Sequence, residues 1–143
     1  MIDRTNKDGA GFVVFRKDTI DQDIPLMLAL IREDGLFDIP KGEIDDGEPI
    51  IDAAKRECFE ECSLLIEDGD VMFSSEGYQH GRLTTYCASS SNMPSVTKNP
   101  HTGILEHIGF KWVDRAEFKN NCLNYLIPGV DYFYSAHSKD YNE

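Results

Sequence analysis

Glu57, Glu60 and Glu61 lie in the run Arg56-Glu57-Cys58-Phe59-Glu60-Glu61, at spacings that bring three carboxylates together if the run is helical. Positions i, i+3 and i+4 share one face of an α-helix. Like charges crowded there repel one another unless a cation holds them. Hard oxygen donors in a cluster suit Mg²⁺ or Mn²⁺, and a cation bound that way acts on phosphates. A single glutamate on a helix is ordinarily a solvated surface residue. The fixed offsets between these residues and their neighbours are what make them a candidate site.

The flanking residues describe how such a site is positioned. Pro40-Lys41-Gly42 reads as a loop, Asp45-Asp46-Gly47 as a turn, and Pro49 as the first helical position, where its missing N–H would be unpaired anyway. Ile50, Ile51, Ala53, Ala54, Cys58, Phe59 and Cys62 recur as a core-facing stripe, with Asp52, Arg56 and Glu60 on another side. Arg56 stands four residues after Asp52 and four before Glu60, so it can pair with either. The segment is predicted to be a loop followed by one amphipathic helix of roughly three to four turns, with an acidic edge aimed where the loop returns.

Over residues 42–64 this pattern resembles the Nudix box, the loop–helix signature of the Nudix hydrolases. That signature is Gly, five residues, Glu, seven residues, then Arg-Glu-aliphatic-x-Glu-Glu-x-Gly-aliphatic. Gly42, Glu48, Arg56, Glu57, Glu60 and Glu61 match it at every charged position. Cys58 replaces an aliphatic residue, a mild change because a free cysteine packs as a small hydrophobe. Ser63 replaces the glycine after the helix, which is costlier if that position needs a positive φ.

The resemblance implies an α/β (α+β) fold, a sandwich of a mixed sheet with helices on its faces, formed by one domain spanning 1–143. It implies hydrolysis of a nucleoside diphosphate linked to another moiety. Mg²⁺ or Mn²⁺ would be held by Glu57, Glu60, Glu61 and the Gly42 carbonyl. Glu57 or Glu106 would take a proton from water, Arg56 would orient Glu57, and Glu48 would support the metal network.

Glu106-His107, four residues, then Trp112 is similar to a stretch of the diadenosine tetraphosphate hydrolases. A dinucleoside polyphosphate is therefore the favoured substrate. ADP-ribose or another nucleotide sugar, and a nucleoside triphosphate, are the alternatives. A nucleotide sensor that does not cleave, or an interaction domain that binds no metal, belongs to a different class. Lys41 is placed to touch a substrate phosphate, His107 to shuttle a proton or meet substrate, and Tyr86, Phe133, Tyr78 or Tyr132 to stack on a base. Each also has an ordinary reading, as a solvated loop lysine, a half-buried histidine or a core aromatic.

A net charge of −12 argues against an extended nucleic-acid surface, which needs clustered lysine and arginine. It does not argue against a phosphorylated small molecule, because a divalent cation inverts the local field. Capped RNA and inositol pyrophosphates fit less well, since no basic cluster is present. Cys58, Cys62, Cys87 and Cys122 lack zinc-site spacing and read as thiols of a reducing compartment. The polar N-terminus has no apolar signal core, and no run is long enough to span a membrane, so a cytoplasmic protein is expected. Oligomeric state stays open.

Along the chain, Ala10–Phe15, Pro25–Ile31 and Leu36–Ile39 read as strands, and Val71–Glu76 with Arg82–Ser89 as a strand pair. Ser90–Gly103 reads as an exposed loop and Ile104–Val113 as a strand. Asp114 with Glu117 marks a helix start, and Pro128 opens a last helix bearing Val130, Phe133 and Tyr134.

Overall fold

Strand β1 (Gly9–Arg16) sets the architecture because both of its faces are apolar: Ala10, Phe12 and Val14 on one, Val13 and Phe15 on the other, all fully buried. A strand of that kind requires cover on both sides. The structure is a computed structural model describing residues 8–100 and 102–141. Residues 1–7, on which the expectation of a leaderless chain rests, lie outside the described residues.

One edge of β1 runs parallel to β6 (Leu83–Ser90), from Gly9↔Leu83 to Arg16↔Ser90. The other edge is divided. It meets β2 (Met27–Arg32) only at Phe15↔Met27, and meets β4 (Lys41–Glu43) at Gly9 to Gly11. β1 and β2 thus diverge, and the run 37–43 wedges the gap. In it, β3 (Phe37–Asp38) bonds to β2 while β4 bonds to β1. Gly11 lets the wedge close, since a Cβ there would sit 2.6 Å from the Pro40 carbonyl oxygen. The far edge of β2 carries β7 (His107–Val113), and β5 (Tyr78–His80) closes the other end as a hairpin with β6.

Helix α1 (Ile50–Cys62) covers one face, packing Ala53, Ala54, Cys58 and Cys62 on Phe12, Val14, Leu28 and Leu30. On the other face lie α2 (Arg115–Asn121) and α3 (Ile127–Tyr141), with Phe118, Val130 and Phe133 against Val13, Phe15, Met27 and Ala29. The Asp114 side chain accepts from the Glu117 amide at 2.8 Å and caps α2 as expected. The result is the expected three-layer sandwich around a mixed sheet. Among the described residues, no helix is long and apolar enough to cross a membrane. All four cysteines are free and buried.

Several local expectations are corrected. Val71–Glu76 is not a strand: it holds one bridge, Val71↔Ala88, and a 3₁₀ turn at Phe73–Ser75, and the partner of β6 is Tyr78–His80. Ile50 and Phe59 face solvent, because the buried stripe of α1 is centred on Ala54, Cys58 and Cys62, and Phe59 lies a further ~100° around the helix. The strand predicted from Ile104 begins only at His107.

Ser63 ends α1 in the left-handed conformation, φ 61° and ψ 19°. An L-residue pays about 1–2 kcal/mol there, which glycine avoids. Ser63→Gly is therefore expected to stabilise the protein by about 1 kcal/mol, read as a higher midpoint in thermal or urea unfolding. An unchanged or lower midpoint would contradict this account of the helix exit.

Candidate active site

The loop before α1 folds back so that Glu48, eight residues before Arg56, becomes its main partner. Arg56 Nε and Nη2 donate to the two Glu48 carboxylate oxygens, each at 3.0 Å, a fork-to-fork pair. Nη2 also donates to the Glu43 carbonyl at 2.9 Å, and Nη1 to Glu57 at 2.9 Å and Glu60 at 3.3 Å. One guanidinium thus joins β4, the loop and α1. The turn beneath it is closed twice, by Glu48 N donating to Asp45 O at 3.0 Å and Asp45 N donating to Glu48 Oε1 at 3.1 Å. The Arg56 bonds hold Glu48 ionised, below the usual carboxylate range.

Gly42 has the opposite role, as empty space. A Cβ on it would fall 2.1 Å from Glu57 Cδ, so the carboxylate occupies the volume a side chain would need. Glu61 is 9 % exposed and accepts a 3.3 Å bond from the Lys41 amide, a long contact for a buried charge. Burial drives its pKa well up, and Asp38 and Glu106 add to the effect against the opposing charge of Lys41. Burial also raises Glu57, opposed by Arg56 and reinforced by Glu60 and Glu106. The protein has collected carboxylates where it costs energy to charge them.

The loop from Ser90 to Glu106 completes the enclosure. Ser95 and Thr97 amides donate to the Cys62 and Glu61 carbonyls, and the Thr97 hydroxyl donates to the Glu60 carbonyl at 2.6 Å. These are carbonyls of the last turn of α1, which lack helical partners. Capping them carries Asn99 and Glu106 over the acidic edge, where Asn99 Nδ2 reaches Glu106 at 3.4 Å. Donor atoms of Glu61, Glu106 and His107 lie within 4.8 Å of one another.

Glu57, Glu60, Glu61 and Glu106 line a recess of about 10 Å³, the space of about one water-sized sphere. The recess adjoins a cleft of about 570 Å³ that includes Lys41, Gly42, Arg56 and Asn99. The recess is lined by four carboxylates together with Thr97, Asn99 and His107, and its size and carboxylate-rich lining fit a divalent cation. Gly42, Arg56, Glu57, Glu60, Glu61, Glu106 and His107 are therefore brought together.

The remaining candidates do not line the recess. Lys41 reaches the cleft, but its ammonium is paired with Asp38 at 3.2 Å. Tyr86 is nearly buried and packs against Phe12 beneath α1, at 6.0 Å between ring centroids. Phe133 is fully buried against Phe73 and presents no ring face to a ligand. Both rings serve the core and not a base, since aromatic residues carry the same sequence signal for either role. Tyr125 is a neighbour of the cleft that no sequence pattern points to. It is half exposed beside a second cavity of about 550 Å³ that shares Lys41, Gly42 and Glu43 with the cleft. No spacing rule links it to the box; only the fold brings it there.

The profile of the NUDIX domain matches residues 5–128. The chain therefore belongs to the Nudix family and is a pyrophosphohydrolase. A C. elegans Ap4A hydrolase is similar in structure, with a TM-score of 0.66 at 18% identity over 93% of this chain and 98% of that one. A putative NUDIX hydrolase from Listeria monocytogenes aligns with a TM-score of 0.66 at 20% identity, over 93% and 95%. The dihydroneopterin triphosphate pyrophosphohydrolase of E. coli gives 0.63 at 18%, over 90% and 94%. A comparison with curated proteins found no match.

Proposed function

We propose that this chain, working as one domain, hydrolyses a phosphoanhydride bond of a nucleoside diphosphate linked to another moiety. The preferred substrate is a dinucleoside polyphosphate such as diadenosine tetraphosphate, and the cation is Mg²⁺ or Mn²⁺. The observation that carries the chemistry is the ion-sized recess among Glu57, Glu60, Glu61 and Glu106 at the edge of the cleft. A divalent cation held there supplies Lewis acidity to the phosphate oxygens and lowers the pKa of an attacking water. Glu57, Glu60, Glu61 and the Gly42 carbonyl hold it. Arg56 keeps Oε1 of Glu57 in place at 2.9 Å and leaves the other oxygen to accept a proton. Glu106, on the opposite wall, is the alternative base. Glu48 fixes Arg56 in turn.

The substrate reading rests on what flanks the recess. One cavity, with Tyr125 and His80, shares Gly42 with the cleft, and another of about 630 Å³, with Ile104 and Leu105, shares Glu106 with the recess. Two compartments around one acidic centre suit a molecule with a bulky group at each end of a phosphate chain. ADP-ribose and nucleotide sugars share that form and are the second choice. The similarity to an Ap4A hydrolase adds weight, and the four free cysteines favour the cytoplasm.

The test is incubation with Mg²⁺ or Mn²⁺ and a panel of diadenosine tetraphosphate, ADP-ribose, nucleoside triphosphates and a capped oligonucleotide, resolved by ion exchange. Metal-dependent cleavage with diadenosine tetraphosphate preferred is the expected result. Preference for ADP-ribose or a triphosphate would overturn the substrate assignment. Nucleotide and metal binding without turnover on any lane would replace hydrolysis by sensing.

A further inference from the structure

Behind the acidic recess lies a buried ionic cluster that the reaction as described does not use. Its centre is Asp38, 5 % exposed, at the end of β3. Asp38 Oδ1 accepts from the Ile39 amide at 2.8 Å, and Oδ2 accepts from Lys41 Nζ at 3.2 Å and faces His107 Nε2 at 3.1 Å. Burying such a group costs several kcal/mol unless its partners are well placed, and apolar replacements of buried ion pairs are often no worse for stability. Its presence here calls for a reason beyond stability.

We propose that Asp38 is a positioning residue for the cation site, bracing β4 and the start of β7 so that Glu61 and Glu106 converge. The inference rests on the hydrolase reading above. β3 and β7 lie on opposite edges of β2, so the Asp38–His107 contact spans that strand. It does so where support is needed, because the β2–β7 register slips between Ile31 and Arg32, next to Arg32↔His107. The ladder is irregular at that end of β7, and Glu106 is the residue before it. On the other side, Asp38 anchors Lys41, whose amide donates to Glu61 at 3.3 Å and whose neighbour Gly42 receives Glu57. Lys41 is thereby committed to the brace rather than to a phosphate. Supports of this kind behind metal ligands govern affinity by about 10–100-fold.

The test uses Asp38→Asn, which keeps the side chain's shape, and Lys41→Met, which keeps the stem without the charge. Mn²⁺ dissociation constants are measured by electron paramagnetic resonance without nucleotide, and kcat and KM at saturating metal. Both variants are expected to weaken Mn²⁺ binding about tenfold or more with KM for nucleotide unchanged, and the double variant to cost little beyond either single. If Asp38→Asn does not fold, Lys41→Met alone decides. Lower melting temperature with Mn²⁺ affinity within twofold of the parent would make the cluster merely structural. A Lys41→Met effect on KM alone would make Lys41 a phosphate ligand and overturn the brace. A parent that binds no Mn²⁺ would sink the hydrolase reading, and this inference with it.

Discussion

Glu61→Gln should lower kcat by two to three orders of magnitude while the protein remains folded. Glu61 is the most buried of the cluster's carboxylates, with one hydrogen bond from the Lys41 amide at 3.3 Å. Glutamine preserves shape and can still accept that bond, but it removes the charge a hard cation requires. Loss of a comparable charge-stabilising group from an active site costs about 10²–10³ in rate. The same change relieves a buried charge, so without metal the variant should melt at or above the temperature of the parent. Steady-state kinetics over a Mn²⁺ titration, with a melting curve on each protein, checks both halves. Activity within a few-fold of the parent would remove Glu61 from the site. A large drop in melting temperature would mean the rate loss reports unfolding.

Gly42→Ala makes the complementary case, a single added methyl that acts on a residue fifteen positions away. Its Cβ would meet Glu57 at 2.1 Å, and the atoms it meets belong to the end of a flexible side chain, not to backbone. The backbone fold should therefore survive, with Glu57 displaced from both the cation recess and Arg56. A misplacement of about 1 Å in a catalytic group can cost about 10²-fold, and that is the expected fall in kcat. Circular dichroism should match the parent. By contrast, Gly11→Ala, whose Cβ would meet the Pro40 carbonyl oxygen at 2.6 Å, should lower stability. Full activity in Gly42→Ala would show that Glu57 can work from elsewhere.

The parts of the site that were legible are those written locally. Glu57, Glu60 and Glu61 share a helix, and helical spacing alone places them on one edge. Asp114 and the apolar stripe on Ala53, Ala54, Cys58 and Cys62 obey rules that act within a turn or two; Pro49 falls one position short of the first helical residue, as the cap of α1 with ψ 142°. Arg56 shows where such rules stop. Its spacing permits Asp52 or Glu60, and Glu60 is indeed bonded, but Glu48 takes both ends of the fork because the loop returns over the helix. Lys41 could be read as near the site, yet its charge is consumed by Asp38, and its neighbour's role depends on a strand pairing invisible in composition. Phe133 and Tyr86 are core and not platform because burial, which sequence does not display, decides between the two. Val71–Glu76 is apolar enough for a strand, but Phe73, Ser74 and Ser75 take positive φ, and the chain turns.

The parallel pairing of β1 with β6 carries a consequence for how the protein is made. Gly9 lies opposite Leu83, so the sheet cannot close until residues through Ser90 are available. Bringing distant strands together carries a loop-closure cost, and folds dominated by such contacts form slowly. During synthesis the helix with Glu57, Glu60 and Glu61 is complete while β6 is still missing, and Glu106 comes later again. A nascent chain therefore presents its acidic helix without the walls that concentrate it on one ion. On the proposed reading, cation binding would belong to the finished fold, and the cation would stabilise that state by mass action rather than guide the chain toward it.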